Sequence, residues 1–305
     1  MKITPIKLNT YKSNFRSTTR TKYCSESEGE FVLPTYNREL QNTISFSTRP
    51  DVRMINSNST EFFRGDVPWK KIGKIFSDQF PKGKVNIYDF ACSDGSEAYS
   101  LIIALIEQLG EKKASRFFPI IATDIDSDII AQANSGKIKA KESDLNAMHR
   151  IFKNFDEKKY FYVTRLNSQE LILTPKEILT KNVIFKKASI HEALQDVDKD
   201  ENNIILARNC WKYIPSYEMS KTTWELANKF NDSALLMIGR YDIQRDGKYP
   251  FFLTDLGFDY HKLPNEYFLR KVGVYKNLSA AKDYQTWQRF IETRLGRYIP
   301  NYIKR

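Results

Sequence analysis

The stretch that decides the fold runs from Lys84 to Gly110, KVNIYDFACSDGSEAYSLIIALIEQLG. Val85 to Phe90 is rich in β-branched and aromatic residues and predicts a buried strand, while Glu97 onward predicts a helix that ends at Gly110. Between them lies Ala91-Cys92-Ser93-Asp94-Gly95-Ser96, a small polar turn that lets backbone approach a ligand closely. Gly95 is its only glycine, so the G-x-G-x-x-G of dinucleotide folds and the Walker phosphate cradle are both absent. A cofactor without a pyrophosphate fits this turn better.

Downstream the same alternation continues. Pro119 to Thr123 predicts a second strand running into Asp124-Ile125-Asp126, then a helix from Ser127 to Asn134 closed by Ser135-Gly136. At the end of that strand Asp124 has two readings: an acceptor for both hydroxyls of an adenosine ribose, or a cap on the following helix. Lys139 to Phe155 is predicted helical, and Lys158 to Thr164 with Glu170 to Thr174 a short hairpin joined around Asn167. Further strands are expected at Asn182 to Phe185, Asn203 to Ala207 and Ser233 to Gly239, with a helix at Ser216 to Phe230 between the last two. Phe251 to Val274 would supply the last strands, and Ala280 to Leu295 an amphipathic helix. Together these elements predict an α/β, doubly wound, mostly parallel sheet with a small β-hairpin insertion and a ligand at the carboxyl ends of its strands.

The 305 residues carry 48 Lys and Arg against 37 Asp and Glu, a net charge of +11 that favours anionic partners. Every charge before Glu26 is positive, so residues 1–58 read as a basic, irregular arm, residues 59–275 as the cofactor-binding domain and residues 276–305 as a basic helix and tail. Three scattered cysteines and three scattered histidines indicate neither a disulfide framework nor a metal site. Leu101 to Ile106 is the longest aliphatic run and the N-terminus lacks an apolar signal core, so the expectation is a cytoplasmic protein without membrane insertion.

Four blocks carry a resemblance to the CheR-type methyltransferases, which esterify glutamate side chains of bacterial chemotaxis receptors. Thr60-Glu61-Phe62-Phe63-Arg64 is similar to that family's T-x-F-F-R, and Ala91 to Ser100 to its A-x-S-x-G-E-E-P-Y-S. Thr123-Asp124-Ile125-Asp126, with Ala133 to Gly136 downstream, resembles S-D-I-D and A-x-x-G, and Leu206 to Ile214 resembles C-R-N-x-x-x-Y-F. The resemblance implies a Rossmann-like class I fold that binds S-adenosyl-L-methionine and releases S-adenosyl-L-homocysteine. By position it places Thr60, Arg64, Ala91, Ser93, Gly95, Glu97, Asp124, Asn209 and Cys210 around the cofactor, with Ser189-Ile190 against the adenine. Arg64 and Tyr213 would face the methyl acceptor, an acidic protein such as a chemoreceptor cytoplasmic domain.

The sequence also departs from the family pattern. Asp94 and Ser96 replace an uncharged residue and the first Glu, Ala98 replaces Pro, and Ser189 replaces Asn. Nucleic acid is a less favoured acceptor, because no Asn-Pro-Pro-Tyr-like or Asp-Pro-Pro-Tyr-like signature occurs. A catalytically silent cofactor-sensing module is the alternative from another class, and the intact Arg64, Glu97, Asp124, Asn209 and Tyr213 weigh against it.

Overall fold

The computed structural model describes residues 60–65, 67–214, 216–229, 234–239, 242, 258–259 and 268–271. The arm at 1–58, the helix at 280–295 and the basic tail lie outside them. A helix that the sequence did not assign, α1 (Ile72–Gln79), precedes strand β1 (Asn86–Phe90) and helix α2 (Ser96–Leu109). Then follow β2 (Ile120–Asp124), α3 (Ser127–Ser135), β3 (Ile138–Lys141), α4 (Glu142–Ile151), β4 (Phe161–Arg165) and β5 (Glu170–Pro175). β6 (Val183–Lys187), α5 (Ile190–Ala193), β7 (Asn203–Ala207), α6 (Ser216–Lys229), β8 (Leu235–Ile238), β9 (Phe258–Asp259) and β10 (Phe268–Lys271) come next, and short helical turns such as Glu111–Ala114, Glu157–Tyr160 and Glu177–Thr180 lie between the elements named.

Seven of the strands form one sheet in the order β6-β2-β1-β7-β8-β10-β9. The first five pair in parallel, and β10 runs antiparallel to both β8 and β9. β7 and β8 are buried at every position, as a parallel strand must be when helices cover both sheet faces. Alternating side chains separate the core into two layers. Ile87, Ile204 and Leu235 pack with Leu101 and Ile102 of α2 on one face. Tyr88, Ile205 and Leu236 pack with Trp224 and Leu226 of α6 on the other. α2 is buried from Ala98 to Ile106, and each of its fully buried isoleucines and leucines contributes about 1.5–3 kcal/mol through burial.

From β1 the chain winds to β2 and β6 on one side, then returns to β7 and β8 on the other. The winding direction reverses between β1 and β7, and in open α/β sheets that reversal opens a crevice at the carboxyl ends of the strands. The small-residue turn from Ala91 to Gly95 lies on one side of this crevice and Arg208-Asn209-Cys210 on the other.

Two local expectations are corrected. The segment from Ile138 to Lys141 is strand, and the helix begins only at Glu142. Ile138 and Ala140 are buried while Lys139 and Lys141 are exposed, a two-residue period that β5 captures by antiparallel pairing. The first hairpin strand starts at Phe161, because Asp156 caps a helical turn at Glu157–Tyr160. The insertion is therefore a three-stranded sheet, β3-β5-β4. Its turn is where it was expected: Asn167 Oδ1 accepts the N–H groups of Gln169 and Glu170 at 2.8 and 2.9 Å. Tyr160 donates its hydroxyl to Glu107 of α2, and Phe62 meets Phe161 edge-to-face at 5.5 Å.

Candidate functional site

The turn after β1 is built from strained backbone. Ala91 and Ser93 take φ of 57° and 54°, and Gly95 takes 87°. The left-handed region costs a non-glycine residue roughly 1–2 kcal/mol, so something must hold Ser93 there. Asp124, at the end of the neighbouring strand β2, accepts the Ser93 N–H on Oδ2 at 2.9 Å. Its Oδ1 accepts the Asp126 N–H at 3.0 Å, and the Cys92 N–H donates to the Thr123 carbonyl at 3.0 Å.

The cap of α3 is Asp126, whose Oδ1 accepts from Asp128 and Ile129; Asp124 does not cap it. An ionised carboxylate offers about four acceptor positions, so Asp124 keeps capacity for a ligand beside the N–H groups of Ser93, Asp126 and Ile125. Burial pushes its pKa up, opposed by those backbone hydrogen bonds. Asp94 accepts the N–H and hydroxyl of Ser96 at 2.9 and 2.7 Å, so the two departures from the family pattern bond to each other at the start of α2. Burial also raises the Asp94 pKa.

On the other side of the crevice Arg208, its side chain 1% exposed, pairs with Glu97 in the first turn of α2. Asp89, buried in β1, feels the same two groups: burial and the Glu97 charge push its pKa well up, and Arg208 pulls it down. The next residue, Asn209, sits at φ 57° and both polar atoms of its amide are buried without a hydrogen-bond partner among the described residues. An orphaned buried amide costs about 1–3 kcal/mol unless a ligand satisfies it. Glu97 Oε1 is likewise buried without a partner among them. An adenosyl amino-acid ligand, with hydroxyl, amine and ring-nitrogen groups, has the donors and acceptors to fit these atoms. Cys210 is buried beside them, and Trp211 anchors the following turn by donating Nε1–H to the Ala207 carbonyl at 2.8 Å.

The first motif reaches the same place through the backbone. Phe62 and Phe63 are buried, and the Phe63 N–H donates to Ser100 Oγ at 3.0 Å. Ser100 in turn donates to the Ser96 carbonyl at 2.7 Å. The Arg64 carbonyl accepts from Trp69 Nε1–H at 2.8 Å, which ties the Arg64 backbone to Trp69. Ser93, Gly95, Glu97, Asp124, Asn209 and Cys210 thus converge on the crevice. Ser189 caps α5 in a reciprocal box with Glu192, and its neighbour Ala188 donates N–H to the Asp124 carbonyl at 3.0 Å. Ile190 is half-buried against the α6-side core. Ala91 is exposed, and Thr60, Arg64 and Tyr213 are partly exposed.

Sequence reasoning missed Asp89, Arg208, Gly239 and Asp242 as members of the site. A charged residue inside each of two apolar strand motifs, IYDF and IILAR, was the available signal for the first two. Among the described residues no cluster of three His, Cys, Asp or Glu is arranged to hold a metal, and no helix is long and apolar enough to cross a membrane.

A mostly parallel sheet with β10 reversed and a crevice between β1 and β7 is the Rossmann-like fold of a class I methyltransferase, which is S-adenosylmethionine-dependent. More narrowly, the chain belongs to the CheR methyltransferase family, whose S-adenosylmethionine-binding domain matches residues 58–250. The chemotaxis protein methyltransferase of Borreliella burgdorferi is 28% identical over 208 residues, covering 64% of this chain and 67% of the relative. That of Listeria innocua is 23% identical over 193 residues, covering 62% and 66%. The match thus spans about two thirds of the length of these relatives. The solved plantazolicin methyltransferase BpumL, in complex with S-adenosylhomocysteine, aligns at TM-score 0.35 and 15% identity over 63% of this chain and 53% of that one.

Proposed function

We propose that this chain transfers the methyl group of S-adenosylmethionine to glutamate carboxylates of an acidic protein, such as the cytoplasmic domain of a chemoreceptor, and acts in the cytoplasm. The observation that carries the cofactor half of this reading is the crevice between Asp124, Glu97 and the orphaned Asn209 amide. Asp124 would take the ribose hydroxyls, Asn209 and Glu97 the rest of the nucleoside and amino-acid portions, and Ile190 the adenine. The acceptor half is supported by Arg64, a partly exposed cation next to Phe63, whose N–H is bonded to Ser100 of α2, by the net charge of +11, and by the relatives named as chemotaxis protein methyltransferases.

S-adenosylmethionine supplies an electrophilic methyl and leaves as the neutral thioether. A glutamate side chain, with an ordinary pKa of about 4.3, is already ionised at neutral pH, so no residue here needs to act as a general base. What the chain contributes is placement. Arg64 holds one carboxylate oxygen and leaves the other free to attack, Tyr213 shares that orientation through its hydroxyl, and positioning of this kind is worth up to about 7–11 kcal/mol in effective molarity. Ser100 and Trp69 keep the Arg64 backbone in register with α2.

The test is transfer of labelled methyl from the cofactor to acidic protein acceptors, a receptor cytoplasmic domain among them. The expected product is a carboxyl ester, which mild base hydrolyses to release labelled methanol. Arg64→Ala is expected to cut transfer by at least about 100-fold, or about 2.7 kcal/mol of transition-state stabilisation, while the fold survives. A base-stable label, or near-normal transfer by Arg64→Ala, would sink the proposal.

A further inference from the structure

Beyond β8 the chain turns through Gly239 to Asp242, whose N–H donates back to the Gly239 carbonyl at 3.0 Å. That turn carries the Asp242 carboxylate, 2% exposed, into the loop after β7. There Oδ2 accepts the Asn209 N–H at 2.5 Å and the Gly239 N–H at 3.0 Å. Gly239 is tied to the same spot sterically: a Cβ there would overlap Asn209 Oδ1 and lie 2.6 Å from its Cγ. The Asn209 side-chain amide therefore lies directly over a bare glycine backbone, and the Asn209 backbone N–H is held by a buried carboxylate from the turn after the next strand. The arrangement repeats that of Ser93, also at positive φ, whose N–H is held by Asp124 at the end of β2.

We propose that Asp242 is a positioning residue for cofactor binding, which acts through the backbone of Asn209 to set the direction in which that orphaned amide is presented to the ligand. The inference rests on the reading that Asn209 meets the cofactor. A charge-assisted hydrogen bond is shorter and stronger than a neutral one, which suits a residue that must hold a strained φ against relaxation. Apart from Asp242, the loop after β7 carries Arg208, Cys210, Lys212 and Tyr213 as ionisable groups, and Arg208 is itself paired to Glu97 of α2. The Asn209 N–H donates to Asp242, and neither a guanidinium nor an ammonium group has an acceptor to offer in its place.

The experiment is calorimetric titration of S-adenosylhomocysteine into the full chain for wild type, Asp242→Asn, Asn209→Ala and the double variant, with folding checked by circular dichroism. Asp242→Asn and Asn209→Ala are each expected to weaken binding by about tenfold or more, the equivalent of one lost charge-assisted or ligand-satisfying hydrogen bond. The double variant is expected to bind no more weakly than Asn209→Ala, because residues coupled in one path do not add. Multiplied losses, or unchanged affinity in Asp242→Asn, would overturn the inference. Unchanged affinity in Asn209→Ala would instead remove the cofactor reading on which it rests. Should Asp242→Asn not fold, Asp242→Glu, which keeps the charge on a longer arm, replaces it in the same cycle: weakened, non-additive binding supports the inference, and unchanged or multiplied losses overturn it.

Discussion

Replacing Gly95 by alanine loads the turn after β1 in two separable ways. The first is backbone: φ of 87° costs an L-residue about 1–2 kcal/mol. The second is steric: the new Cβ would lie 2.5 Å from Cζ and 2.7 Å from Cε1 of Phe185 at the edge strand β6. Phe185 packs edge-to-face on the buried Tyr99 at 5.6 Å, so its ring retreats only by giving up that contact. Overpacking of this kind costs about 1–3 kcal/mol, for a total of about 2–5 kcal/mol. At about 2–4 °C per kcal/mol for a domain of this size, the midpoint of thermal unfolding falls by roughly 4–20 °C. Gly83→Ala is the matched control, since its φ is 82° but its Cβ would meet nothing closer than Asn202 Nδ2 at 3.5 Å. Urea unfolding of both variants, followed by circular dichroism, isolates the Phe185 component as their difference. Calorimetry with S-adenosylhomocysteine should show weaker binding in Gly95→Ala and wild-type affinity in Gly83→Ala. Equal destabilisation of the two variants together with equal affinity would refute the reasoning.

Arg208→Leu removes the buried partner of Glu97 and leaves that carboxylate and Asp89 uncompensated; the expected loss in urea unfolding is about 3–5 kcal/mol, and a loss under about 1 kcal/mol would contradict it. Asp124→Ala should weaken S-adenosylhomocysteine binding at least about tenfold, whereas unchanged affinity would reduce Asp124 to a brace for Ser93. Acidification should weaken the same binding, because Asp124 has a raised pKa and Asp242 is pushed up to about 6 by burial, and each accepts hydrogen bonds best as a carboxylate. The folding contribution has the opposite sign. A carboxyl raised by burial favours the protonated folded state, so its own contribution to stability grows as pH falls from about 6 toward the ordinary aspartate value and is lost as pH rises through about 6. Affinity and the Asp242 contribution to stability should therefore move in opposite directions over that window, and parallel movement in Asp242→Asn-referenced titrations would count against the assignment.

What the sequence made legible is what local period encodes. A buried strand, a small-residue turn and an apolar helix in succession predict the first βα unit, and the parallel sheet follows from its repetition. Lys139 to Lys141 reads as helix because so short a two-residue period cannot be told from the start of a helix until β5 supplies its partner. The site is less legible, because it is assembled by strand neighbours far apart in the chain. β1 lies between β2 and β7, and β7 lies beside β8, yet nothing local to Asn209 points to Asp242 or Gly239. Nor does composition announce left-handed backbone at Ala91, Ser93 and Asn209, where glycine would be the ordinary choice. The structure supplies the reason that glycine is dispensable at two of them. Ser93 is held by Asp124 and Asn209 by Asp242, in each case an aspartate that follows the adjacent parallel strand and takes the N–H of the strained residue. On either side of the crevice, then, a buried carboxylate offsets a strain of about 1–2 kcal/mol, and at Asn209 the residue so held keeps a side chain that glycine would lack. That side chain is the orphaned amide on which the ligand reading depends, so at Asn209 the brace serves the site as well as the backbone.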